Sequence, residues 1–176
     1  MGFQRGSCRI VFQKKITMRK HILKIVLLLV VLVSCGCRPK QPILEETVSF
    51  TNHAWNRFNK VPFKIAVRNP DTYYDILLRV SFIDGFPYDE IPVNTVLKSP
   101  DGQVNVMRKV LGTHNADGGY AGSVYGDVWT VEKAVHSHRK FGKEGEYTFE
   151  VEHLTQYYDL EGIVSVGCVV VPSKEQ

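Results

Sequence analysis

Two histidines separated by one residue are the most metal-like feature of this sequence. His136 and His138 flank Ser137, and residues two apart on a regular β-strand project to the same side. Two imidazoles could then bind one cation such as Zn²⁺. No third ligand can be assigned, because His114 and His153 qualify only by rough proximity and no cysteine accompanies the pair. We therefore favour a polar strand end, and we predict no metal and no cofactor.

The serines and carboxylates do not form a recognisable catalytic set. Ser99 falls in a predicted hairpin turn and Ser123 in a glycine-rich segment, and neither has the G-x-S-x-G pattern that presents an activated hydroxyl. The neighbouring acids Asp89 and Glu90 would face opposite sides of a strand, so they could not act on one bond. We therefore predict that the protein is not an enzyme and has no catalytic residues.

Aromatic residues near turns are candidates for binding. The glycine-rich residues 118–122 lack the Lys and the Ser or Thr of a phosphate-binding loop, but tyrosines flank them. Exposed rings could stack on sugars or contact a protein partner. Two more tyrosines lie beside polar residues further along the chain. The predicted ligand or partner contacts are Tyr120, Tyr125, Tyr157 and Tyr158.

Three other aromatic residues are predicted to lie in the core. They are Trp55, Phe58 and Trp129. Large rings at the ends of a β-sandwich are more often buried than exposed, and each would remove about 150–250 Å² of surface from water. We therefore do not count these three among the candidate contacts.

Cys35 has the most specific surroundings of any residue in the chain. It follows small Ser34 and a nine-residue apolar run, residues 25–33, which basic residues precede. The run is too short for a transmembrane helix, which needs about 20 apolar residues, and it suits a secretory signal. The pattern resembles a lipobox, where signal peptidase cuts before the cysteine and the thiolate accepts a diacylglyceryl group. We predict a signal peptide over residues 1–34, with Met18 as an alternative start.

Lipidation of Cys35 would attach the mature protein to a membrane. One acyl chain, such as palmitate, contributes about 0.8 kcal/mol per buried methylene and holds only marginally, whereas two or three chains make attachment effectively permanent. Residues 35–46 contain two prolines and no apolar period, as expected for a tether. The predicted organisation is a signal peptide (1–34), a lipidated cysteine with its tether (35–46) and a β-sandwich domain (47–176).

The charge of the mature chain is mildly acidic. All 18 acidic residues follow Cys35, whereas 7 of the 22 Lys and Arg residues precede it. Residues 35–176 therefore carry 15 basic and 18 acidic side chains, a net charge of −3. Nucleic-acid binding needs a basic face, so we predict no nucleic-acid partner.

Apolar residues alternate with polar ones almost throughout the predicted domain, which is typical of strands with one buried face. The longest alternation covers residues 73–82. Residues 163–171 are apolar on both faces and contain Cys168, so we expect a central strand with an inert, buried thiol. The Ser99-Pro100-Asp101-Gly102 sequence predicts a hairpin turn. Residues 112–126 contain five glycines and are predicted to form a long loop.

These elements predict the fold class. About seven or eight strands at this spacing, with no helix long enough for a βαβ crossover, indicate an all-β protein. We predict an antiparallel two-sheet β-sandwich of jelly-roll type, with a closed barrel as the alternative.

A series of short motifs follows the lipobox and tether over nearly the whole mature chain. In order, they are Phe50, Trp55 and Phe58, then Phe86-Pro87-Tyr88, Gly126-Asp127-Val128, Arg139 with Phe141, Gly145-x-Tyr147-x-Phe149, and Leu160-x-Gly162-Ile163-x-x-Val166-Gly167. This arrangement resembles the gliding motility lipoprotein GldH family. The resemblance implies a small envelope lipoprotein associated with the gliding apparatus, and it carries over no catalytic or ligand residues.

The residues after Cys35 favour the outer membrane and the periplasm. Asp is absent directly after Cys35, so an inner-membrane retention signal is not seen, and residues 36–40 lack an acidic surface-export tag. Our hypothesis is a non-enzymatic, lipid-anchored outer-membrane protein that faces the periplasm. It would bind other envelope proteins in a gliding-motility or secretion-linked assembly. The alternative is a carbohydrate-binding β-sandwich lipoprotein with a glycan ligand.

Overall fold

A computed structural model describes residues 41–173 of the chain, and these residues form β-strands and no helix. The predicted signal peptide, Cys35 and the first part of the predicted tether lie outside the described residues. In the part of the chain that the structure describes, no helix has the length and apolar character needed to span a bilayer.

The described residues form eleven strands. They are β1 Leu44–Ser49, β2 Ala54–Asn56, β3 Val61–Val67, β4 Tyr73–Ile83, β5 Glu90–Lys98, β6 Val104–Gly112, β7 Ser123–Tyr125, β8 Val128–Lys140, β9 Gly145–His153, β10 Asp159–Glu161 and β11 Ile163–Pro172.

The strands build two main sheets and one small one. One sheet has the order β1-β11-β4-β8-β7, the other β3-β9-β5-β6, and β10 pairs with β2. Every ladder is antiparallel. The predicted all-β, antiparallel two-sheet sandwich is therefore confirmed, with the β10-β2 pair as an addition.

The core follows from the period-two pattern. Alternate residues of β3 and β4 are buried, and the intervening ones are exposed or half-buried. The largest fully buried side chains include Trp55, Phe63, Phe82 and Phe149. Since burying one such side chain stabilises the fold by roughly 1.5–3 kcal/mol, the inner faces of the two sheets hold the sandwich together.

Strand β11 is central, as predicted, because it pairs with β1 on one side and β4 on the other. Both of its faces are largely buried, and Cys168 is a free, buried thiol. Burial raises the pKa of that thiol to about 12, so the thiolate, which is the reactive form, does not occur at neutral pH.

The first and last described strands place both chain ends at one end of the sandwich. Leu44 of β1 lies opposite Val170 of β11, and Ser173 N donates to Tyr73 O at 2.8 Å. The turns after β3, β5 and β8 lie at this end, which we call the tether end. The loops at the opposite end contain Phe50, Phe58, Phe86, Tyr88, Tyr120, Tyr157 and Tyr158. We call this the aromatic end; β4, with eleven residues, implies a separation of about 35 Å between the ends.

The tether prediction needs correction at its C-terminal boundary. Strand β1 begins at Leu44, three residues before the predicted start of the domain at Thr47. Glu45, Glu46 and Thr47 are exposed, and Leu44 and Val48 pack against the core. Pairing with apolar β11 thus recruits residues whose own sequence has no clear strand period.

The predicted long loop over residues 112–126 is shorter than expected, because only residues 113–122 and 126 lie outside the strands. Gly112 ends β6, His114 forms an isolated bridge with Tyr120, and β7 runs from Ser123 to Tyr125. Gly122 has φ +90°, and a Cβ there would lie 2.1 Å from Thr130 O. The glycine therefore lets β7 approach β8 closely, which composition alone does not predict.

Candidate functional site

The four predicted contact tyrosines all lie at or next to the aromatic end, but they differ in exposure. Tyr120 is half-buried, and its hydroxyl donates to Phe86 O at 3.1 Å. Its ring lies 5.1 Å from the Trp129 ring and 5.6 Å from the Phe82 ring, centroid to centroid. Tyr120 therefore packs the end of the core and offers little surface to a ligand.

Tyr125 is the most exposed aromatic residue of the described chain, at 91%. It lies at the tip of the β7-β8 hairpin, where it pairs with Val128 across Gly126 and Asp127. Its neighbour Val124 is also exposed, at 52%. The hairpin tip thus presents an apolar projection to solvent.

Tyr157, Tyr158 and Phe58 form an exposed group that we call the aromatic cluster. Phe58 is 72% and Tyr158 67% exposed, and their ring centroids lie 5.8 Å apart. Tyr157 contacts the Tyr88 ring at 5.2 Å, and the Arg57 guanidinium lies 6.0 Å from the Phe58 centroid. The prediction that Phe58 lies in the core is wrong, because a tight turn after β2 directs this side chain outward.

That turn is fixed by hydrogen bonds. Phe58 N donates to Asn56 Oδ1 at 3.0 Å, and Asn59 N donates to Asn56 O at 2.9 Å. Arg57 N donates to Tyr158 O at 2.8 Å, which joins the turn to the segment that carries the two tyrosines. Since the backbone is held in this way, the exposed Phe58 ring is displayed in a defined place rather than on a loose loop.

Trp55 and His153 are buried beneath the aromatic cluster, and their hydrogen bonds hold the backbone that carries it. Trp55 is fully buried, and its Nε1 donates to Asn59 O at 3.0 Å. His153 Nε2 lies 2.8 Å from Trp55 O, and Thr155 Oγ1 lies 2.9 Å from His153 Nδ1. Burial lowers the pKa of His153, so a neutral ring donates from Nε2 and accepts at Nδ1. The sequence pattern alone did not reveal this role for His153.

Aromatic contacts continue from the cluster across the whole end of the sandwich. Consecutive ring centroids lie 5.0–5.6 Å apart from Tyr157 to Trp129. The path is Tyr157, Tyr88, Phe86, Phe82, Tyr120 and Trp129. Trp55 is fully buried, as predicted, whereas Trp129 is only half-buried against the core. The exposed cluster is therefore the outer edge of a continuous aromatic layer.

The histidine pair does not converge on one point. His136 is 6% exposed and its ring lies 6.3 Å from Phe149 in the core, whereas His138 stacks on exposed Tyr73 at 4.1 Å. Two register shifts interrupt the β4-β8 ladder here, and His138 has φ 51°. The bulges break the regular alternation from which both imidazoles were expected to project to one side of the strand. That expected placement of His136 and His138 is therefore wrong.

The remaining polar candidates have structural partners. Ser99 closes the β5-β6 turn, where its Oγ accepts from Gln103 N at 2.9 Å. Hydrogen bonds from Lys143 and Ser99 lower the pKa of exposed Asp101 to about 2. Asp89 lies 3.5 Å from His114 Nδ1. Among the described residues, no group of three or more His, Cys, Asp or Glu could hold a metal ion.

The geometry of the exposed rings bears on the kind of ligand. The Phe58 and Tyr158 planes are tilted by 40°, and those of Tyr88 and Tyr157 by 41°. Neither pair therefore forms one coplanar surface on which a sugar chain could stack across both rings. A cavity of about 280 Å³, lined by Ile43, Ala66, Arg68, Asn69 and Tyr74, lies at the tether end and is separate from the aromatic cluster.

The family comparison covers the whole described sandwich except its extremities. A protein-family model described as GldH lipoprotein matches residues 42–170. No curated protein matches the chain.

Proposed function

The chain belongs to the GldH lipoprotein family, and from this we propose that it acts in a gliding-motility or secretion-linked assembly by binding other envelope proteins. Membership makes it a lipoprotein of the cell envelope associated with gliding motility. We further propose that acyl chains on Cys35 attach it to the outer membrane, that its domain faces the periplasm, and that it is not an enzyme.

The fixed and exposed aromatic cluster is the observation that supports association. Phe58, Tyr157 and Tyr158 lie exposed at the end of a continuous aromatic layer, and aromatic residues of this kind are enriched at the energetic centres of protein interfaces. Single exposed apolar residues are ordinary. Three exposed rings on a backbone that hydrogen bonds hold in place indicate a binding surface more strongly. Exposing apolar rings to water does not stabilise the isolated fold.

The position of the cluster supports a partner that lies away from the anchoring membrane. The chain enters the sandwich at the tether end, and the cluster lies at the other end of strands that span about 35 Å. A partner at the aromatic end would therefore meet the domain beyond the layer of lipid headgroups. This orientation suits a component that extends through the periplasm.

A cluster variant tests the proposal. Replacing Phe58→Ala and Tyr158→Ala together removes exposed rings and leaves the core intact, so we expect loss of crosslinked motility or secretion components with unchanged protein abundance. The measurement is crosslinking in cells, followed by pull-down and quantification of the partners.

A matched control removes an exposed ring at the other end. Tyr73 is 44% exposed at the tether end, and Tyr73→Ala should keep the crosslinked partners. If the cluster variant recovers the same partners as the unmodified protein, the aromatic cluster is not the contact. Binding of the protein on a glycan array would instead favour the carbohydrate alternative.

A further inference from the structure

One side of the sandwich carries two strand edges that are not paired along most of their length. Within residues 41–173, β6 pairs only with β5. On the facing sheet, β7 pairs with β8 only at residues 128–130, which leaves residues 131–140 of β8 without a strand on that side. We call these two edges, β6 and residues 131–140 of β8, the open seam.

The backbone of β6 is arranged to accept another strand. Lys133 Nζ from β8 donates to Val110 O at 2.7 Å, which shows that the carbonyl of this residue points to the open seam. In an antiparallel strand, alternate residues direct both N–H and C=O to the same side. Val104, Val106 and Arg108 therefore direct their N–H and C=O groups to the edge as well.

The three valines that direct their backbone groups to this edge also have exposed side chains. Val104 is 59%, Val106 57% and Val110 39% exposed. A long edge strand with exposed apolar side chains is a ready template for strand pairing, and natural proteins usually protect such edges. The nine residues of β6 are long enough for a stable added strand.

The other three edge strands of the two main sheets are better protected. Strand β3 contains Pro62, which has no N–H to donate. Strand β7 has only three residues. Strand β1 lies beside β3 and carries exposed Glu45 and Glu46. Strand β6 also lies beside β8, where Lys133 occupies Val110 O, so it differs from the other edges in its nine-residue length and its exposed valines.

Positive charge is concentrated along the open seam. Its cationic side chains are Arg108, Lys109, Lys133, Arg139 and Lys140, against one carboxylate, Glu132. Lys140 pairs with Asp71 and Glu132 pairs with Arg79, whereas the other four cations take part in no ion pair of residues 41–173. Arg139 Nε is buried and has no hydrogen-bond partner within the same residues. The seam therefore has an unused guanidinium donor and excess positive charge, which suit a carboxylate-bearing ligand.

We propose that the open seam binds an extended acidic segment of a partner protein, which adds to β6 as a further strand. Backbone groups of β6 bind the segment through hydrogen bonds, the exposed valines contact its apolar side chains, and the cations bind its carboxylates. This inference rests on the proposed function, because it names the kind of segment that an assembly partner contributes. It concerns a surface separate from the aromatic cluster.

A second copy of this chain is a poorer occupant. Two β6 strands paired antiparallel about their middle would place Arg108 opposite Arg108, and like charges directly opposite each other destabilise a sheet. An anionic polysaccharide could bind the cations but has no peptide groups for the β6 edge. The unpaired backbone therefore favours a polypeptide.

The test uses the full-length protein in detergent and a synthetic peptide of about seven residues that alternates valine and glutamate. Hydrogen–deuterium exchange is measured across β6. With the peptide at about ten times its Kd, we expect the amides of Val104, Val106 and Arg108 to exchange about tenfold more slowly. A peptide of the same length that alternates valine and lysine should give no protection.

Two sets of variants separate backbone pairing from charge. Val106→Pro removes one edge N–H and should weaken peptide binding about tenfold, whereas the matched Val106→Thr keeps the N–H and the affinity. If the proline variant is unfolded, Lys109→Gln with Lys133→Gln provides the second measurement, with a similar expected loss.

Three results would overturn the inference: no protection of β6 by the acidic peptide, equal protection by the basic peptide, or equal protection by heparin. Crosslinking of the variant with Phe58→Ala and Tyr158→Ala distinguishes failure of this inference from failure of the proposed function. Loss of partners in that variant, together with absent β6 protection, overturns the strand-addition inference alone. Retained partners in that variant with clear β6 protection would move the contact from the aromatic end to the open seam.

Discussion

Two histidines that are two residues apart in β8 lie in opposite environments. His136 lies against Phe149 in the core, and His138 stacks on Tyr73 at the surface. The bulged backbone between them decides which ring is desolvated. A local irregularity of the backbone therefore decides which imidazole is buried, and the residue types alone do not predict it.

Burial of His136 predicts a pH-dependent stability. Desolvation, and then the charges of Arg139 and Lys109, lower its pKa from 6.5 to about 4. The unfolded chain gains a proton near pH 6.5, while the folded protein gains it only near pH 4. Stability is therefore complete above the unfolded pKa and decreases as the pH falls toward 4, by up to about 3 kcal/mol.

Urea unfolding of the protein and of His136→Phe, at about pH 7 and about pH 4, measures this effect. The variant should lose less stability on acidification, because it has no imidazole to protonate. The carboxylates titrate in both proteins and cancel in the comparison. Identical pH dependence in the two proteins would contradict the assignment.

At the scale of elements, the hairpins depend on particular glycines. The β7-β8 pair needs Gly122, whose positive φ and close approach to Thr130 leave no room for a side chain. Gly119, in the same loop, has a would-be Cβ in ordinary contact at 3.5 Å from Asp117 Oδ1. Two glycines that look equivalent in the sequence thus have different structural requirements.

These two glycines make a matched pair of variants. Gly122→Ala should destabilise the protein by roughly 1–3 kcal/mol, because a residue with φ +90° and a backbone clash must shift. Gly119→Ala should change the free energy of unfolding by less than about 0.5 kcal/mol. Thermal or urea unfolding distinguishes them. Equal effects would mean that β7 tolerates displacement from β8.

At the scale of the whole molecule, the sandwich has two chemically different ends. Both described chain ends lie at the tether end, and all the exposed Phe and Tyr rings except Tyr73 lie at the other. If a short tether anchors the chain, the tether end would face the membrane and the aromatic end would point away from it. The open seam runs along the side between the two ends, so two partner surfaces could be used together.

Replacing Cys35→Ala should release the protein from membranes, because the acyl chains would have no attachment point. Fractionation of cells after lysis measures this. Cys37→Ala is the matched control, since it leaves Cys35 in place and should stay in the membrane fraction. Continued sedimentation of Cys35→Ala with membranes would contradict lipid attachment.

The sequence by itself determined most of the long strands and the class of fold, because period-two alternation is local and reports directly which face of a strand is buried. It predicted the β5-β6 hairpin through Pro100 and Gly102, the central position of β11 with its buried Cys168, and the family resemblance. Burial of Trp55 was predicted from the usual burial of large rings.

Only the tertiary structure decided which surfaces remain free. The outward turn of Phe58, the divergence of His136 and His138, the pairing of β7 and the open edge of β6 depend on contacts between residues far apart in the chain. Strand order and bulges set these contacts, and neither leaves a periodic signal. The core could therefore be predicted from the sequence, whereas the candidate binding surfaces required the fold.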